Sequence, residues 1–255
     1  MALDLPPPPD AQATVSAALT QTEVRVTSNF RGARIVIYGA VFDPRQRPTD
    51  VVVIVRGPDQ PIRIARKTRV AGLWLNSRPV VFEGAPGFYK TASTRPLDQI
   101  ADYGALRRMG AGVDHLPMNA PLEQRVETRY GVRDVVVSAL GADYLDWRRA
   151  VVRLKQAAQL YSADDQGVRF VDRGLFRAEV DLPTAAPIGV YSAQIILFQD
   201  GKAVSRRTRG LTVQKAGLER ELYLFAYRRP WLYGLASVAV ALGAGWAASV
   251  VFRRT

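Results

Sequence analysis

The sequence predicts a mainly β body with a helical insertion, followed by one membrane-spanning helix at the C-terminal end. Three observations predict it. Short Val- and Ile-rich runs and alternating apolar–polar stretches lie on both sides of a segment with helical spacing. Gly, Pro and Asp punctuate the runs where turns belong. The stretch Pro230 to Phe252 (PWLYGLASVAVALGAGWAASVVF) contains no charged residue. Strands, then helices, then strands suit a β-sandwich of immunoglobulin-like type interrupted at about residues 96–165. Two domains, β then α+β, divided near residue 96, are the alternative.

Residues 1–20 read as a disordered leader or the remnant of a signal region. Met1 to Pro9 (MALDLPPPP) has no basic start and too short an apolar run for a signal peptide. Ala11-Gln12-Ala13 nonetheless has the small-x-small form of a signal-peptidase site. The body is expected over 21–216. In EVRVTSNF (23–30), Val24 and Val26 alternate with Arg25 and Thr27, as in a half-buried strand. ARIVIYGAVF (33–42) and VVVIV (51–55) are continuous apolar runs of central-strand character. Ile62, Ile64, Leu73 and Leu75 extend the β pattern to about Phe82.

Helical spacing begins after Pro96, with Leu97, Ile100 and Leu106. A clearer helix starts at Asp143, a candidate N-cap. Its apolar stripe is Tyr144, Trp147, Val151, Leu154, Ala158 and Tyr161. Strands return in LFRAEVDL (175–182) and in 190–198, and Asp200-Gly201 supplies a tight hairpin turn. GLERELYLFAYRR (217–229) reads as a short juxtamembrane helix, and 253–255 is a basic tail.

A helix over 230–252 spans about 35 Å at ~1.5 Å per residue, enough for a hydrocarbon core of about 30 Å. Arg228, Arg229, Trp231 and Tyr233 at one end, and Phe252, Arg253 and Arg254 at the other, read as interface anchors. Gly234, Ser237, Ala241, Gly245 and Ala248 recur every three or four residues. They form a small-residue face on which another membrane helix could pack.

Arginine supplies most of the formal net charge of +12. No lysine block, zinc spacing or aromatic-basic signature accompanies it, so nucleic acid is not an expected partner. There is no cysteine and one histidine, His115, which excludes Cys-based zinc sites and Cys–His catalysis. No nucleotide fingerprint or paired catalytic acids appear, so no catalytic residue, metal or cofactor is assigned and no enzymatic activity is expected. One constellation suggests binding. Arg56, Arg63, Arg66, Lys67, Arg69, Arg78 and Arg95 lie on or beside predicted strands, with Trp74, Asn76 and Tyr89 interleaved. Guanidinium forks match oxyanions through paired N–H donors. The patch reads as anion- or lipid-binding, against the plainer reading of solvated strand faces.

The stretches TSNFRGARIVIYGAVFD, VVVIVRGP, RKTRVAGLWLN, FYKTASTRPL, LFRAEVDLP, GVYSAQIILFQDG and YGLASVAVALGAGWAASVVFRR resemble a family of alphaproteobacterial transmembrane proteins, from about Thr22 to Arg254. The resemblance implies a periplasmic body, an N-terminal signal that this sequence lacks, and one C-terminal membrane helix. Such proteins accompany sulfite-exporter (TauE/SafE-type) permeases, so the resemblance implies a permease of that type as partner, besides the lipid bilayer. The expectation is a single-pass protein of the bacterial inner membrane, its body periplasmic, acting as a non-enzymatic accessory subunit of an anion exporter. The alternatives are a periplasmic anion- or lipid-sensing domain and a tail-anchored cytoplasmic protein. The last follows from the basic residues Lys215, Arg220, Arg228 and Arg229 before the span.

Overall fold

The computed structural model describes residues 12–27, 30–43, 45–76, 79–116, 118–119, 125–129, 132–136, 143–215 and 226–252. Chain contacts divide it into two units, Met1–Val24 with Phe30–Val213, and Arg25–Asn29 with Gln214–Thr255.

The larger unit is mainly β. A six-stranded sheet runs in the order β12 (Tyr161–Asp164), β9 (Tyr89–Ser93), β4 (Asp50–Arg56), β15 (Gly189–Gln199), β16 (Lys202–Lys215) and β2 (Glu23–Val26). A four-stranded sheet runs β1 (Thr14–Leu19), β3 (Ala33–Phe42), β14 (Leu175–Leu182) and β13 (Val168–Asp172). In β4, every residue from Val51 to Val55 is buried. Alternate side chains leave a strand on opposite faces, so this sheet is covered twice. Val52 and Ile54 join Ile196, Phe198 and the helices in one core cluster. Val51, Val53 and Val55 occupy the other face. There β13, β14 and β1 contact β4, β9 and β15. A strand with no face to water needs no polar alternation, which is why VVVIV is continuous. The two stacked sheets are consistent with the sandwich expected from the sequence.

One expectation at the N-terminal end is corrected. Thr14–Leu19, inside the supposed 1–20 leader, is strand β1, paired antiparallel with β3 from Thr14↔Phe42 to Leu19↔Ile37. Val15 and Ala17 alternate with exposed neighbours and are buried. The small side chains of Ser16, Ala17 and Ala18 hide that alternation from a hydropathy reading.

The segment between β9 and β12 holds α1 (Leu97–Ile100), α2 (Tyr103–Met109), a 3-10 turn (Val113–His115), a hairpin of β10 (Arg125–Arg129) and β11 (Val132–Val136), and α3 (Tyr144–Ala157). β12 lies parallel to β9. A parallel neighbour cannot be reached by a tight turn, and the helical insertion is the crossover. The helical spacing over 97–109 is broken at Ala101, which is extended (φ −155°, ψ 162°). Asp102 then caps α2, its carboxylate accepting the Ala105 amide at 2.6 Å. α3 buries Trp147 and Val151, but Leu154 is 58 % exposed. The helix stops before Ala158, so Tyr161 belongs to β12 and not to the helical stripe. Asp143 occupies the N-cap position without a side-chain cap bond.

Two further pairs are small antiparallel sheets. β5 (Asp59–Ile64) pairs with β8 (Val80–Pro86), and β6 (Lys67–Val70) pairs with β7 (Leu73–Asn76).

The smaller unit contains α4 (Pro230–Phe252), preceded by a helical turn at 226–228. Pro230–Ser249 is long and apolar enough to cross a membrane, and none of it is buried. The expected juxtamembrane helix lies mostly outside the described residues.

Candidate anion-binding cleft

A cleft of about 770 Å³ opens in the body. It is walled by β4, β9, α2, the turn after α2, α3, and the paired strands β15 and β16 at Gln194 and Arg206. Among the described residues, five arginines line it, Arg56, Arg107, Arg108, Arg148 and Arg206, and Asp114 is the one lining carboxylate. Ile54, Met109, Met118, Tyr103 and Tyr144 add apolar and aromatic wall.

Local chemistry sets the walls. α2 ends at Gly110, whose φ of 63° is left-handed. The Ala111 amide bonds back to Leu106 at 2.9 Å, a closure that glycine permits at little cost. Arg107 and Arg108 in its last turn complement the helix dipole. Among the described residues, neither has a hydrogen-bond acceptor or a carboxylate partner. The buried Tyr89 hydroxyl clamps the turn from beneath. It donates to the Gly110 carbonyl at 2.6 Å and accepts the Gly112 amide at 2.9 Å. Burial raises its pKa above the ordinary value, which keeps the clamp protonated.

Arg148 ties α3 to the same turn. One of its terminal nitrogens, Nη2, donates to the carbonyls of Asp114 (2.7 Å), Leu116 (3.2 Å) and Val113 (3.3 Å). Arg56 Nη2 donates to Asp59 Oδ1 at 2.6 Å and to the Gly84 carbonyl at 2.9 Å. Arg206 Nη2 donates to Gln194 Oε1 at 2.7 Å. His115 stands in the wall with its Nδ1 shielded and, among the described residues, making no hydrogen bond. Burial lowers its pKa, Arg148 and Arg107 push the same way, and Asp114 opposes them. The imidazole is therefore neutral at pH 7. Among the described residues, five guanidiniums, one of them paired with Asp59, outnumber the carboxylates here, and forked donors of this kind are able to match oxyanions.

The arginines singled out from the sequence are not gathered into one patch. Arg56 lines the cleft. Arg63 lies on β5. Arg66 sits between β5 and β6, its guanidinium 4.5 Å from the centre of the Trp147 ring. Lys67 and Arg69 are on β6. Arg95 clasps Asp50 through two bonds of 2.9 and 2.6 Å. Arg78 lies outside the described residues, as do Arg253 and Arg254. Trp74 and Asn76 are on β7. Arg107, Arg108, Arg148 and Arg206 were not anticipated, because the fold assembles them from α2, α3 and β16 across a hundred residues of sequence. Along α4, Gly234 and Gly245 have open space where a Cβ would stand, and Ser237 Oγ donates to the Tyr233 carbonyl at 2.9 Å. Ala241 and Ala248 continue the same exposed face. Arg228, Arg229, Trp231 and Tyr233 stand at the start of α4, and Phe252 is its last residue.

Among the described residues, no three His, Cys, Asp or Glu side chains come together as a metal site would require. A family model described as "Putative transmembrane protein (Alph_Pro_TM)" matches residues 14–254. No curated protein matches the chain.

Proposed function

The chain belongs to this transmembrane family, and from that premise we propose that it is a single-pass inner-membrane protein whose periplasmic body binds an anion without transforming it. The carrying observation is the cleft in which, among the described residues, five arginines, two of them without a partner, stand around one lining carboxylate. Its volume of about 770 Å³ falls within the usual range of small-ligand sites. A single sulfite or sulfate would leave much of it empty. The better fit is a ligand with several anionic groups, or one anionic group on an apolar body.

Thermal melting of the full chain in detergent tests the ligand class. Pyrophosphate should raise Tm more than phosphate, sulfate or sulfite, and chloride at matched ionic strength should not raise it. No shift with any oxyanion would refute the binding role. Orientation is tested by single cysteines placed at Arg173 and Thr255 of this cysteine-free chain. An impermeant maleimide should label the first and not the second in intact spheroplasts; the opposite pattern would favour the tail-anchored cytoplasmic reading.

A second reading, an accessory subunit of a sulfite-exporter (TauE/SafE-type) permease, draws support from the small-residue face of α4. Backbones can approach closely along such a face in lipid, where packing replaces the hydrophobic drive. Co-purification of a polytopic permease in mild detergent would support it, and recovery of the protein alone would refute it.

A further inference from the structure

The β6–β7 hairpin has an unusual surface. Leu73, Trp74 and Leu75 are consecutive and are 67 %, 68 % and 50 % exposed. Among the described residues, the two strands form their own sheet, hydrogen-bonded to no third strand. A lone two-stranded ribbon is marginal in water. This one is braced at its base by Arg66 against Trp147 and closed by a tight turn at Ala71 (φ 50°) and Gly72 (φ 84°). Left-handed values at both central residues mark the turn whose twist matches paired strands.

The register sorts the side chains. Arg69 lies opposite Trp74 and Lys67 opposite Asn76, while Thr68 lies opposite Leu75. Directly opposed residues share a face. One face of the ribbon therefore carries Lys67, Arg69, Trp74 and Asn76, and the other carries Leu73 and Leu75. No acidic residue occurs between Asp59 and Glu83, whereas Arg63, Arg66, Lys67, Arg69 and Arg78 all do. Lys67 and Arg69 have no ion-pair partner among the described residues.

We infer that this hairpin is a lipid-contacting wedge: Leu73, Trp74 and Leu75 enter the interfacial layer of the bilayer while Lys67 and Arg69 meet anionic headgroups. Tryptophan favours that layer because its ring is apolar and its N–H polar. Basic side chains beside it are attracted to acidic lipid. A protein partner would bury the same leucines, but a patch with no acidic residue is complementary to a uniformly anionic surface. The inference rests on the membrane attachment proposed above and is independent of the cleft.

The test uses the full chain in nanodiscs of mixed phosphatidylglycerol and phosphatidylcholine. Leu73→Cys, or Arg173→Cys as a remote control, carries an environment-sensitive fluorophore, and brominated acyl chains act as quencher. The label at 73 should be quenched about twofold or more and the control not at all, with Lys67→Glu/Arg69→Glu removing most of the effect. Equal, weak quenching at both positions in loaded discs would overturn the wedge alone. So would protection of residue 73 in native membranes without quenching in discs, which would indicate a protein partner. Failure of the chain to enter discs would overturn the membrane premise and the wedge together.

Discussion

The Tyr103 ring meets the His115 imidazole edge-on, with centroids 4.7 Å apart and planes inclined at 73°. That contact forms part of the enclosure that keeps the imidazole neutral in the cleft wall. The folded-state pKa of His115 lies below its ordinary 6.5. Between the two values the unfolded chain binds more protons, so stability is fully present above about pH 6.5 and declines as pH falls toward the folded value. His115→Gln should flatten this part of a Tm-against-pH curve. Anion affinity should rise over the same acid range, as a cationic imidazole joins five guanidiniums, and the Gln variant should lose that rise. Superimposable pH profiles for the two proteins would refute this role.

Arg148 is the tie between α3 and the turn that carries His115. Arg148→Ala leaves three carbonyls without their shared donor and should cost about 1–3 kcal/mol in chemical denaturation. Arg148→Lys should restore part of the loss, since all three bonds come from one nitrogen and an ammonium carries three N–H donors.

Much of the fold is legible in the sequence where burial is complete. VVVIV in β4, the alternation in β14 and the Asp200-Gly201 turn (φ 48° and 76°) all appear as read. The failures have physical causes. β1 is built from residues too small to signal a strand by hydropathy. The helical spacing over 97–109 persists across a backbone break that Asp102 repairs by capping. The Arg56 neighbourhood reads as one patch in sequence, yet Arg56, Arg63 and Arg69 sit on three different strands, β4, β5 and β6. The cleft was illegible because its arginines converge only in three dimensions.

Glycine at 39 is required by packing. A Cβ there would stand 2.2 Å from the Phe176 ring and 2.6 Å from the Ser16 carbonyl oxygen. Gly39→Ala should destabilise the body by about 1–3 kcal/mol through overpacking. Gly210, where an added Cβ meets nothing, provides the control. Gly210→Ala should leave the urea midpoint unchanged or slightly raised.

Gly234 and Gly245 mark the small-residue face of α4. Gly234→Ile with Gly245→Ile should leave membrane insertion intact, since both changes add apolar surface. It should sharply reduce recovery of any helical membrane partner in mild detergent. Unchanged recovery would show that this face touches only lipid.

A calorimetric titration of the full chain with pyrophosphate, beside the Arg107→Glu/Arg108→Glu variant, tests the anion-binding cleft most directly. Both residues are exposed, so the variant should fold, melting at most slightly below the parent because two carboxylates oppose the dipole of α2. The account predicts one ligand per chain and a loss of affinity of about tenfold or more in the variant. No measurable heat for the parent, or equal affinity for the two proteins, would contradict it.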